Sequence, residues 1–328
     1  VNPLHPKNHP AKAAMGVAVL TAVLGAASFA MASGTTGMVS IRYEGALALS
    51  QNHDGRARPA AVTCDAVAGE ICVTDAAYSA LHLFNAAGAE TFRTGGFANV
   101  TAPNDGAVDH EGRLVTISLV GGQSSAIARL DVYGEPDGYR AERPAADWRP
   151  THLLVTRDGH YVTVDGSSGL MAKHDADTGA VLWARTIGGG VGDDASLDMN
   201  LGRPAQMPDG TFRVPGGNLH VMLVVSEDGR QLETFGRVGS SPGRMVYPVA
   251  AAAGPGGTLL VLDQLRHKIL AFDGQHEFLS EYGSIGDTPG AFYYPASMAT
   301  DGNGHLYVAQ SFRSLVQVFN VQADGAAE

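Results

Sequence analysis

Cysteine is nearly absent from this chain: Cys64 and Cys72 are the only two among 328 residues. Neither a C-x-x-C nor a C-x-x-C-H pattern occurs, which excludes a dithiol redox motif and c-type haem attachment. Basic residues are scarce as well, with 22 Lys and Arg against 33 Asp and Glu, for a net charge of −11. Lys7 and Lys12 lie ahead of residue 13. The rest of the chain therefore carries 20 basic and 33 acidic residues, a net charge of −13. A surface of that sign repels a polyanion, so nucleic acid is excluded as a partner. No H-E-x-x-H, G-x-S-x-G or P-loop pattern is present.

Charge is missing altogether between Ala13 and Ala32, in the run AAMGVAVLTAVLGAASFAMA. As a helix these 20 residues would span roughly 30 Å, the thickness of a bilayer core. Lys7 and Lys12 precede the run, which sets the N-terminus in the cytoplasm and the rest outside. Two readings follow. A retained anchor gives a single-pass inner-membrane protein with its main domain in the periplasm. A removed signal peptide gives a secreted one, and Ala30-Met31-Ala32 before Ser33 has the A-x-A form of a cleavage site. The run is longer than the 7–15 apolar residues of a usual signal core, which favours the anchor. Ala14, Ala18, Ala22 and Ala26 recur every four residues. Such a stripe lets a second membrane helix approach closely, so these alanines are the expected contact with integral-membrane subunits, in a segment otherwise facing the lipid bilayer. The plain alternative is that alanine is simply common here.

What the chain has in abundance is glycine, 42 residues, spaced between short apolar runs. Between Phe235 and Asn320 the spacing becomes a repeat of 47 residues without gaps. Phe235-Gly236-Arg237-Val238-Gly239 returns as Tyr282-Gly283-Ser284-Ile285-Gly286. Pro242-Gly243 returns as Pro289-Gly290, Tyr247-Pro248 as Tyr294-Pro295, and Leu259–Asp263 as Leu306–Gln310. Ile269-Leu270-Ala271-Phe272-Asp273 returns as Val316-Gln317-Val318-Phe319-Asn320. Runs of β-type residues between Gly/Pro turns at this period indicate about four strands per repeat, the blade of a β-propeller.

The order F-G-x-x-G, P-G, Y-P, D-G-x-G and a closing V-F-[DN] resembles the NHL repeat family. The resemblance implies an all-β, six-bladed propeller. It does not imply one activity, because propellers host lyases, lactonases, nucleic-acid binders and scaffolds. The expected organisation is a cytoplasmic stub, a transmembrane helix and a linker over residues 1–36, then a six-bladed propeller over residues 37–328. The final repeat lacks an outer strand after Asn320. The segment Ile41–Glu44 resembles the outer strand of the fifth repeat, so it is expected to close the ring beside Val316–Asn320 and remove an exposed sheet edge.

Candidate functional residues follow from this frame. Cys64 and Cys72 fall near opposite positions of one predicted hairpin in an exported domain, and a disulfide between them is expected. Aligning the blades on their prolines puts Ala61, Asp105, His152, Gln206, Ala250 and Ser297 around the central channel. Amidating lyases of the NHL type carry several channel histidines on zinc, and gluconolactonase-like propellers hold a divalent metal with acidic residues and Asn. Here only Asp105 and His152 are strong ligands, short of the three that a catalytic zinc needs. No catalytic set, metal or cofactor is therefore expected. Arg266, His267, Lys268 and Arg313 cluster on equivalent loops of blades five and six and read as a docking patch, or as solvated loops. Together these features favour a non-enzymatic interaction module. An accessory subunit of an electron-transfer or photosynthetic membrane assembly fits that topology. The alternative is an exported metal-dependent hydrolase or lyase with its site in the channel.

Overall fold

In the computed structural model, residues 38–49, 56–65, 68–94, 100–120, 124–191 and 198–323 are described. The apolar run at 13–32 and its alanine stripe lie outside them. No helix among the described residues is long and apolar enough to cross a membrane.

The described residues form six antiparallel sheets arranged as the blades of a propeller. The innermost strands are Pro59–Asp65, Asp105–Val108, His152–Val155, Ala205–Gln206, Pro248–Ala253 and Ser297–Thr300 for blades one to six. The second strands are mostly buried, Leu259–Asp263 along its whole length, because both of their faces meet a neighbouring blade. Such strands read as continuous apolar runs rather than as alternation. The outer strand Gln231–Phe235, by contrast, is largely exposed. One apolar core fills each junction between successive blades, six in all, which closes the ring.

Blade six takes its outermost strand from the other end of the chain. Val39–Leu47 pairs antiparallel with Leu315–Ala323, with Arg42 opposite Asn320 and Leu47 opposite Val316. Tyr43 of this strand meets Phe319 edge-on at 5.8 Å, and Phe319 also packs on Tyr282 and Phe292. Full burial of Phe319 contributes about 3 kcal/mol.

Blade two departs from the four-stranded expectation: it has three strands, ending at Leu130. The following segment carries Pro136, Pro144 and Pro150, which cannot donate to a ladder. It covers the junction with side chains instead. Trp148 is fully buried against His174, and the Tyr139 hydroxyl donates to the Asp175 carbonyl at 3.0 Å.

An aspartate at the end of the second strand recurs in three blades and ties the turn that follows it to the entry of the inner strand in its own blade. Asp75 accepts the Arg58, Ala77 and Tyr78 N–H groups. Asp165 accepts those of Arg149, Ser167 and Ser168, and Asp263 those of Val246, Tyr247 and Arg266. This device explains the run of apolar residues ending in Asp that marks the repeats.

Candidate functional site

The residues that begin the inner strands face one another around the channel. Asp105 pairs with Ile117, His152 with Val164, Ala250 with Leu262 and Ser297 with Ala309, equivalent positions in their blades. In blade four that place belongs to Arg203, not to Gln206. The register Ala205↔Arg213 and Gln206↔Phe212, counted back, sets Arg203 against Pro215. Arg203 also bridges in parallel to Ala250 of blade five. Pro204 is therefore not the equivalent of Pro150 and Pro248; Leu201 is. Gln206 lies farther along the strand, where its side-chain oxygen accepts the Arg157 N–H at 2.9 Å.

Gly202 lets the chain reach this point. A Cβ there would stand 2.2 Å from the Val249 carbonyl oxygen, so only glycine permits so close an approach to blade five.

Arg203 and Asp105 meet across the channel. The guanidinium Nε stands 3.2 Å from Asp105 Oδ2, and Nη2 donates to the Leu153 carbonyl at 2.8 Å. Asp105 is fully buried and also accepts the Gly106 N–H at 2.9 Å and the Leu153 N–H at 3.0 Å. His152 Nδ1 is 3.8 Å from the same carboxylate. Burial alone would raise the Asp105 carboxyl; the Arg203 charge, His152 and the Leu153 N–H outweigh it and hold the group below the usual carboxylate range. The carboxylate is thus occupied from both sides by protein donors.

The other inner-strand polar groups do similar work. Ser297 Oγ accepts the Val62 N–H at 3.2 Å, joining blade six to blade one. Thr63 Oγ1 donates to the Gly106 carbonyl at 2.9 Å, joining one to two. Asp105 joins two to three and the Arg203 side chain three to four. The Arg203 N–H donates to the Val249 carbonyl at 2.9 Å, joining four to five. Thr300 Oγ1 donates to the Ala253 carbonyl at 2.7 Å, joining five to six. Every junction of the ring has such a clasp. Three of the residues involved, Arg203, Thr63 and Thr300, escaped sequence reasoning; only the glycine ahead of Arg203 hinted at its special place.

Where the inner strands end, the channel opens into a cavity of about 230 Å³ lined by Cys64, Arg157, Arg203, Gln206 and Ala252, among others. Among the described residues, no group of three or more His, Cys, Asp or Glu is placed to hold a metal ion.

The expected Cys64–Cys72 disulfide is not present; both are free thiols. Cys64 lies opposite Ile71 and Cys72 opposite Thr63, so the two are offset by one residue. With a strand period of two, that offset turns them to opposite faces. Cys64 packs in the core between blades six and one, and Cys72 in the core between one and two. Burial pushes the Cys72 thiol up to about 12 and the Cys64 thiol well above its ordinary value.

The expected docking residues are largely internal. Arg266 has a side chain only 5% exposed. It donates to the Arg244 and Ser240 carbonyls and pairs with Glu281 at 2.7 Å. Burial would raise the Glu281 carboxyl, but hydrogen bonds from Lys268 and Arg266 reverse the direction and lower it. His267 is buried, and its Nδ1 accepts the Tyr294 N–H at 3.2 Å. Arg313 donates to the Asp287 carbonyl.

Neither family models nor curated proteins give a match to this chain. Solved structures do. A protein of unknown function from Bacteroides thetaiotaomicron aligns over 87% of this chain and 76% of its own, at 15% identity and a TM-score of 0.61. A streptogramin B lyase aligns over 87% of this chain and 98% of its own, at 13% identity and a TM-score of 0.59. Kuenenia stuttgartiensis hydrazine synthase aligns over 84% of this chain and 100% of its own, at 11% identity and a TM-score of 0.56. At these identities the likeness is one of fold, and the chain is a six-bladed β-propeller similar to these proteins in architecture.

Proposed function

We propose that this protein is a non-enzymatic interaction module, exported and held at a membrane by residues 13–32, that serves as an accessory subunit of a membrane protein complex. One observation carries the reading. The polar side chains that begin the inner strands, where a propeller enzyme would gather its ligands, are engaged in holding the blades together. Asp105 is saturated by Arg203 and backbone donors, Ser297 by blade one, and two of the six positions are alanine. A rigid ring in which, among the described residues, no three potential metal ligands converge suits a docking platform. The uncharged run at 13–32 supports the anchoring.

A metal-dependent hydrolase or lyase is the second reading, favoured by His152, whose side chain is 27% exposed and backed by Asp105. The test is metal analysis of purified protein together with His152→Ala. Under the scaffold reading the protein holds no stoichiometric Zn²⁺ or Ca²⁺, and His152→Ala leaves its association with partners intact. One metal ion per chain, or a turnover lost in folded His152→Ala, would establish the enzyme instead.

A further inference from the structure

The perfect repeat of blades five and six extends to residues that fold stability does not require. Ten large apolar residues are strongly exposed among those described, and five of them lie on one face of these two blades. Val238 is 58% exposed and its repeat equivalent Ile285 is 64% exposed; Leu265 is 47% and its equivalent Phe312 is 66%. Each pair stands 47 residues apart in sequence, at the same place in successive blades. Val238 and Ile285 sit in the loops that lead into the inner strands. Leu265 and Phe312 tip the turns between second and third strands. Tyr293, 42% exposed, fills the space beside Phe312 at 6.3 Å between ring centroids.

The two loops of each blade are braced to one another by the same contact. Arg266 donates to the Ser240 carbonyl, and Arg313, 47 residues on, donates to the Asp287 carbonyl. The two blades are then joined. Gln264 donates to the Pro295 carbonyl at 3.1 Å, and His267 accepts the Tyr294 N–H while stacking on Tyr293. The exposed apolar pairs are therefore held at fixed spacing on a rigid surface.

The charge of this surface opposes that of the molecule. The loops 236–247, 264–267, 283–296 and 311–314 present the exposed Arg237 and Arg244 against one exposed carboxylate, Asp287, in a chain with 33 acidic and 22 basic residues; Arg266 is enclosed and paired with Glu281.

We infer that this face of blades five and six docks an acidic amphipathic segment of a partner protein, its apolar side on Val238, Leu265, Ile285 and Phe312 and its carboxylates toward Arg237 and Arg244. The inference rests on the interaction-module reading and names its surface. Apolar burial supplies affinity, and the opposite charge supplies orientation and rate. Fixed spacing between equivalent apolar pairs matches a structured partner; a fluid lipid surface makes no such demand.

The test uses the full chain in mild detergent. Two probes are offered by fluorescence anisotropy: a synthetic helical peptide with leucine along one face and glutamate along the other, and the same peptide with lysine for glutamate. Phosphatidylcholine vesicles containing phosphatidylserine are the third probe. The glutamate peptide should bind, the lysine peptide should not, and Leu265→Ser/Phe312→Ser should weaken the glutamate peptide by at least about tenfold. Arg237→Glu/Arg244→Glu should do the same. Equal binding of both peptides, no binding of either, or vesicle binding that the apolar double variant abolishes would each overturn the inference, the last in favour of a lipid surface. Co-isolation separates this failure from that of the broader reading. A complex that survives Leu265→Ser/Phe312→Ser removes this surface and leaves the module; a wild-type chain that isolates alone removes both.

Discussion

Replacing Arg203 by Met leaves Asp105 buried and charged without its cation. The carboxylate keeps the Gly106 and Leu153 N–H groups, but the Leu153 carbonyl loses its donor and three blades lose their shared clasp. Removing one partner of a buried ion pair costs about 3–5 kcal/mol, and the orphaned carbonyl adds about 1 kcal/mol. For a domain of this size each kcal/mol lowers the melting temperature by about 2 °C, so a fall of about 8–12 °C is expected from thermal unfolding. Asp105→Leu strands the guanidinium and should cost a similar amount. The double variant Asp105→Leu/Arg203→Met replaces two charges with apolar volume and should recover much of the loss, because buried pairs rarely outperform well-packed apolar residues. The double-mutant cycle reads that coupling directly. Single variants that melt within about 2 °C of wild type, about 1 kcal/mol, or a double variant whose loss is the sum of the singles, would refute the role assigned to the pair.

Other expectations can be checked in the same unfolding assays. His174 is buried beside Trp148, and burial lowers its pKa to about 4. Both states are neutral above the unfolded value near 6.5; as pH falls, only the unfolded chain gains the proton, so stability drops by about 3 kcal/mol between pH 6.5 and about 4. His174→Gln should flatten that part of the profile; an unchanged slope would count against the assignment. Gly202→Ala should cost about 1–3 kcal/mol through its clash with the Val249 carbonyl, whereas Gly274→Ala, with nothing within 4 Å, should be close to neutral. Alkylation without reductant should leave the buried Cys72 unlabelled in the folded protein, reach Cys64 only through the channel cavity, and label both after denaturation; a peptide mass showing Cys64 bonded to Cys72 would contradict the offset register.

The propeller is legible because blades five and six are near-copies, and their 47-residue repeat gives the spacing of the strands. The outer strand expected at Ile41–Glu44 lies within Val39–Leu47, paired to the last strand of blade six. Blade two was less legible, since its outer segment builds cover from Tyr139 and Trp148 rather than from a ladder, and β-type patterning does not report such packing. The channel ring is legible except for the register of blade four, where Gln206 lines the cavity beyond the ring position that Arg203 takes. Aligning on Pro204 shifted blade four by three residues and hid Arg203, because a proline marks the start of a strand only where the chain geometry is regular. Cys64 and Cys72 show the same weakness at finer scale. Proximity along a hairpin was visible, but the phase that decides which face each thiol meets depends on turn register. Arg266 read as a surface charge because sequence records that a residue is charged, not that loop carbonyls and Glu281 enclose it.

The most direct measurement is purification of the full chain in mild detergent, with mass, partner identity and metal content determined on the same sample. A propeller that works by docking is expected to isolate within a larger membrane assembly and to carry no stoichiometric metal. A lone propeller holding one metal ion per chain would contradict it.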